Sequence, residues 1–124
     1  MSPSYDPGDE ILVAKFGSSS ADLRRGDVIV LQAPAAGGLM IKRVAALGGD
    51  RVGIADGVLV VNGRRVPEPY VDRARVDGTY FGPVRVPRDT VWVLGDARAG
   101  SVDSRTFGAV PDDAIVGRVV LRLW

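Results

Sequence analysis

Val58-Leu59-Val60-Val61-Asn62-Gly63-Arg64-Arg65-Val66 is the stretch on which the fold turns. Asn-Gly supplies the two positive φ values that a two-residue type I′ turn demands, and an apolar run rich in β-branched residues leads into it. The nine residues therefore read as a β-hairpin, and the same texture recurs along the chain. Twenty valines, sixteen glycines and eight prolines make short apolar runs broken by turn residues, which favours strands over helices. Strands are expected over residues 10–16, 27–32, 39–46, 51–54, 58–61, 64–66, 84–86, 90–94 and 115–123, giving an all-β fold. The stretch 67–82 holds Pro67, Pro69, several charges and three aromatics, and reads as an irregular excursion. A small β-ribbon, residues 51–83, is thus expected as an insertion in a barrel-like core built from residues 1–50 and 84–124, the whole forming one domain.

A chain of 124 residues has the length of one domain and can bury roughly two-thirds of the surface its unfolded form exposes. Sixteen basic and fifteen acidic residues leave a formal net charge of +1, with neither sign gathered into a block, so no nucleic-acid footprint is present. The absence of cysteine removes disulfides, thiolate metal sites and cysteine nucleophiles together. The absence of histidine removes the Ser-His-Asp triad, and leaves any zinc site to carboxylates alone. Gly37-Gly38 and Gly48-Gly49 lack the following Lys-Ser/Thr pair of a phosphate loop. No cofactor is called for. What survives is Ser-Lys catalysis, carboxylate catalysis, or a chain without catalysis.

Two places carry candidate chemistry. Lys42 lies in Leu39-Met40-Ile41-Lys42-Arg43-Val44, where strand alternation puts it on one face with Met40 and Val44. At an ordinary pKa, roughly one lysine in two thousand is neutral at pH 7, whereas burial can lower the value by about 3 to 5 units and make the amine a usable base. The other reading is an edge lysine whose ammonium snorkels to water. The second place is the polar stretch from Gly95-Asp96 through Ser101-Val102-Asp103-Ser104-Arg105 to Gly108, which follows a strand. Asp103 and Arg105 are placed to form a charge-assisted pair, and Ser101 or Ser104 to hold a neighbouring amine; an ordinary polar connection has the same composition.

Four blocks in order then resemble the type I signal peptidase family of Ser-Lys serine endopeptidases, the S26 peptidases, over almost the whole chain. Met1-Ser2-Pro3-Ser4 with Pro7-Gly8-Asp9 is similar to the family's Ser-Met-x-Pro-Thr and Pro-Gly-Asp, from the methionine onward. Arg25-Gly26-Asp27-Val28-Ile29-Val30 resembles its Arg-Gly-Asp-Ile-Val-Val strand, and Lys42-Arg43-Val44 through Gly49-Asp50 its Lys-Arg-Val segment. The stretch from Gly95 to Gly108 resembles Gly-Asp-Asn-Arg-x-x-Ser-x-Asp-Ser-Arg-x-x-Gly, with Ala97 in place of the asparagine; Gly48 likewise replaces a proline and Ser4 a threonine.

The resemblance implies a signal-peptidase-type β-barrel-like core with Lys42 as general base, Ser101 orienting its amine, Asp103 and Arg105 as structural support, and Met1 and Pro3 as parts of the motif. It places the nucleophilic serine immediately before Met1, outside this sequence, so the chain as it stands is expected not to turn over. Ser2 is two residues from that position, and one step is about 3.8 Å between α-carbons, too far for it to substitute. The implied substrates are exported preproteins with small residues at the cleavage site. The implied setting is the extracytoplasmic face of the cell membrane, reached through an N-terminal anchor, since no apolar run here approaches the roughly 20 residues a spanning helix needs. Leu121-Arg122-Leu123-Trp124 has the Trp and apolar character suited to a bilayer interface, though an ordinary closing strand looks the same. Two other readings are a dedicated maturation protease of the same family and a non-catalytic peptide-binding barrel. A self-cleaving repressor-type peptidase would not be expected to carry Gly95-Asp96 with Asp103-Ser104-Arg105.

Overall fold

The computed structural model describes residues 10–15, 23–33, 37–69, 80–96, 98 and 102–123. They form strands β1 (Glu10–Lys15), β2 (Val28–Gln32), β3 (Leu39–Leu47), β4 (Arg51–Ala55), β5 (Val58–Val61), β6 (Arg64–Arg65), β7 (Phe81–Arg85), β8 (Thr90–Leu94), β9 (Val110–Pro111) and β10 (Ile115–Leu123). One α-helical turn, α1 (Ser104–Phe107), and one 3-10 turn, Asp112–Ala114, complete the described elements. The fold is all-β, as the sequence implies. A six-stranded sheet runs in the order β1-β10-β2-β3-β8-β9 and a four-stranded sheet in the order β6-β5-β4-β7, with every pairing between these neighbours antiparallel.

The second sheet grows from two tight turns. Asn62 and Gly63 have φ of 54° and 81°, the type I′ geometry expected of the β5–β6 hairpin. Asp56 and Gly57, at 50° and 77°, make an equivalent turn between β4 and β5, an Asp-Gly signal in plain view in the sequence. Asn62 does more than turn the chain. Its side chain donates to Asp50 Oδ1 at 2.9 Å and accepts from the Arg51 amide at 2.9 Å, tying the hairpin tip to the point where the chain leaves the first sheet.

Strand β8 explains how the sheets come together. Its run Thr-Val-Trp-Val-Leu is buried on both faces: Val91 and Val93 pack with Ile29, Leu31 and Val44, while Trp92 and Leu94 pack with Val52, Ile54, Leu59 and Val61 of the second sheet. A continuous apolar strand is what burial on two sides requires. Phe81 reaches across from β7 to Trp92 with ring centroids 5.5 Å apart. Beside β8, a register shift in β3 between Val44 and Ala46 turns Ala45 and Ala46 toward the second core, so both strands serve both.

Most described strands match the expected spans to within a residue at each end, and the larger departures have physical reasons. β7 runs over Phe81–Arg85, beginning earlier than 84–86, because Gly82-Pro83 sits in an edge strand where a missing N–H removes no ladder bond. β9 and α1 are too short to carry a periodicity. Of the expected strand 10–16, residues 10–15 are β1 and residue 16 lies outside the described residues.

The crossing from β3 to β4 is a turn in which Asp50 N–H donates to the Leu47 carbonyl at 2.9 Å and Gly49 N–H to the Val86 carbonyl at 2.8 Å. Gly48 lies so close to the returning chain that a Cβ would stand 3.0 Å from the Pro87 carbonyl oxygen and 3.2 Å from Arg88 Cα. Those neighbours are backbone and cannot swing away. Gly48→Ala is therefore expected to destabilise the protein by about 1 to 3 kcal/mol, an overpacking cost read from urea unfolding; a midpoint unchanged from wild type would contradict the close approach.

Candidate active site

Lys42 lies inside the six-stranded sheet, opposite Ile29 of β2, on the face that Met40 and Val44 share with the first core. It is only 9% exposed. Burial pushes its pKa below the ordinary lysine value; the Asp103 carboxylate opposes that shift and the Arg105 guanidinium adds to it.

Asp103 owes its position to the edge of β8. β9 pairs with only the first half of that strand, through Thr90 and Val91. Beyond it, side chains from the start of α1 take over as partners: Val93 N–H donates to Ser104 Oγ at 2.9 Å, and Gly95 N–H donates to Asp103 Oδ2 at 3.0 Å. A short polar sequence thereby completes a β-edge that would otherwise bury unpaired donors. Asp103 also caps α1, accepting from the Arg105 amide at 3.1 Å, and its two oxygens accept from Arg105 Nε at 2.9 Å and Nη2 at 2.8 Å. The carboxylate is fully buried. Burial by itself would raise its pKa, but the hydrogen bonds from Arg105 and from the Gly95 amide, with the guanidinium charge, hold it below the ordinary carboxyl value.

Of the residues singled out by sequence, Lys42, Asp103 and Arg105 thus form one electrostatic cluster. Ser104, considered there as a partner for an amine, offers its oxygen to the Val93 amide. Ser101, Met1, Ser2, Pro3 and Trp124 lie outside the described residues.

Two ion pairs behind the cluster went unread. Arg43, the neighbour of Lys42 on the opposite face, donates to both oxygens of the buried Asp96 at 2.9 and 2.8 Å, and to the Gly26 carbonyl at 2.9 Å. Gly26, with φ of 94°, in turn donates to the Val44 carbonyl at 2.8 Å, so the Arg-Gly-Asp turn is a clamp on the Lys42 strand. Arg98 donates to both oxygens of Glu68 at 3.0 and 2.6 Å, with both side chains almost wholly buried. These partners stand 53 and 30 residues apart, and a single sequence offers no signal that pairs them. A cavity of about 340 Å³ on the second sheet, walled by Gly53, Val60, Tyr80, Phe81 and Pro83, shares no residue with this cluster.

The sheet thus holds a buried amine close enough to the Asp103 carboxylate to feel its charge. Among the described residues no helix is long and apolar enough to cross a membrane. The family described as signal peptidase, peptidase S26, matches residues 1–124. The chain is 37% identical to signal peptidase I of Bacillus caldolyticus over 136 residues, covering all of this chain and 74% of the relative. It is 36% identical to signal peptidase I of Leptolyngbya laminosa over 132 residues, again across its full length, and spans 64% of that protein. A crystal structure of a signal peptidase I from Enterococcus faecalis superimposes with a TM-score of 0.69 at 29% identity, over 78% of this chain and 96% of the other. With the ordered blocks of sequence, the two-sheet fold and full-length matches of this strength, the chain belongs to the signal peptidase family S26.

Proposed function

We propose that this chain is the catalytic core of a type I signal peptidase that removes signal peptides from exported preproteins by Ser-Lys acyl transfer. The observation that carries the reading is the burial of Lys42, which depresses the proton affinity of the one amine the family pattern uses as base even against the opposing charge of Asp103. Neutral Lys42 takes the proton of a serine hydroxyl standing immediately before Met1; the alkoxide attacks the scissile carbonyl, and water releases the acyl group. Ser101 orients the amine, and Met1 and Pro3 shape the serine's surroundings. Asp103 and Arg105 support the site without touching substrate. The reading treats residues 51–83 as an insertion in a single peptidase domain. Preproteins with small residues at the cleavage site are the substrates, and an anchor ahead of this core holds it at the extracytoplasmic membrane face.

In a form extended to place serine before Met1, Lys42→Met is expected to abolish preprotein cleavage while leaving the protein folded. Residual turnover near that of the unsubstituted form would end the dyad assignment. Because a neutral amine is needed, activity should rise with pH through a value below that of an ordinary lysine. The same lowered value has a stability signature. Between the folded value and the ordinary lysine range the unfolded chain binds the extra proton, so stability rises with pH there, and Lys42→Met should remove that rise from urea midpoints.

Asp103 acts in the opposite direction. Its depressed pKa contributes stability that is present above the ordinary carboxyl value and is lost as pH falls through the folded one. Asp103→Asn leaves Arg105 without its counter-charge and is expected to cost about 3 kcal/mol at neutral pH, with a flatter acid branch in urea titrations.

A further inference from the structure

Arg98 holds three parts of the molecule at once. Its Nε donates to the Gly95 carbonyl at 2.7 Å, at the end of β8. Nη1 and Nη2 grip the two oxygens of Glu68, which stands between Pro67 and Pro69 just beyond β6. Its own carbonyl accepts from Arg105 Nη2 at 2.8 Å, and that same nitrogen donates to Asp103 Oδ2 at 2.8 Å. A continuous series of charge-assisted bonds therefore runs from the exit of the second sheet to the carboxylate beside Lys42.

Stability alone is a weak reason for such a pair. Removing two charges this completely from water costs several kcal/mol per ion, and replacing buried pairs by apolar residues of similar size is often neutral or stabilising. The geometry is instead what placement requires: a bidentate fork fixes the guanidinium plane, and Nε is occupied as well, so the Arg98 backbone has little freedom left.

We propose that Glu68 and Arg98 are positioning residues, a buried clamp through which the segment leaving the second sheet fixes Arg105 and Asp103 in register with Lys42. The kinetic consequence rests on the Ser-Lys reading above; the structural consequence does not. Asp103 and Arg105 are the charged groups that act on Lys42 among the described residues, and both are held by this series. Burial is the first cause of the lowered Lys42 affinity, so loosening the stretch that carries Asp103 admits water and returns the amine toward ordinary behaviour.

The test is the double variant Glu68→Met/Arg98→Met, which removes both charges while keeping apolar bulk. The chain has two lysines, Lys15 and Lys42, so the Lys42 titration can be followed by NMR with labelled lysine. The expected result is a urea midpoint equal to or above wild type, with the Lys42 midpoint raised by at least about half a pH unit. In the serine-bearing form, kcat should fall at least about tenfold with KM within about twofold, the pattern of a misplaced base. Unchanged Lys42 titration overturns the proposal, whatever happens to stability. Should the double variant fail to fold, Glu68→Asp withdraws the carboxylate by one methylene and keeps its charge; wild-type titration and kcat in that variant would overturn the clamp equally. Failure of the dyad reading looks different, since it appears as turnover by Lys42→Met and leaves the titration result standing.

Discussion

The Asp103 carboxylate is the constraint from which the site is built. A single buried anion completes the edge of β8 through Gly95, starts the helical turn that follows, immobilises Arg105 and faces the amine of Lys42. None of these tasks tolerates much displacement, because the acceptor geometry of two oxygens is divided among four donors. The carboxylate stays charged in a dry place only because those donors outweigh its burial, and the lysine loses proton affinity because burial outweighs the carboxylate. The two groups differ because hydrogen bonds and the Arg105 charge offset burial at Asp103, whereas at Lys42 burial is the largest effect.

Around that centre the two sheets are not independent bodies laid side by side. β3 and β8 contribute to both cores, the Asn62 side chain fastens the hairpin tip to Asp50, and Arg98 joins Glu68 to the end of β8. Lys42 and Arg43 divide the labour of adjacent residues on a pleated strand: one side chain enters the site and the next anchors the strand to Asp96 and the Arg-Gly-Asp turn.

Local chemistry was legible in the sequence, and distant pairing was not. Asn62-Gly63 announced its turn because only a few residue types accept those angles, and the 90–94 run announced a strand by the apolar residues that follow Thr90. Lys42 stood out by the alternation of its strand, and Asp103 with Arg105 by their closeness in the chain. Glu68, by contrast, sits between two prolines in a stretch that reads as an irregular excursion, and nothing local distinguishes its burial. The role of Ser104 was hidden for a related reason: a hydroxyl that substitutes for a strand partner has the same letter as one that serves an amine. β9 escaped because two residues cannot display alternation.

The two-sided burial of β8 reaches beyond packing. On most sheets a strand has a forgiving side, where drift in sequence is absorbed by solvent or by one set of neighbours. Here a change of volume at Trp92 or Leu94 presses on the second sheet, and one at Val91 or Val93 presses on the neighbours of Lys42. The strand consequently transmits evolutionary pressure in both directions, and divergence in the outlying hairpins is limited by what the chemistry on the far side of a single layer of backbone will bear.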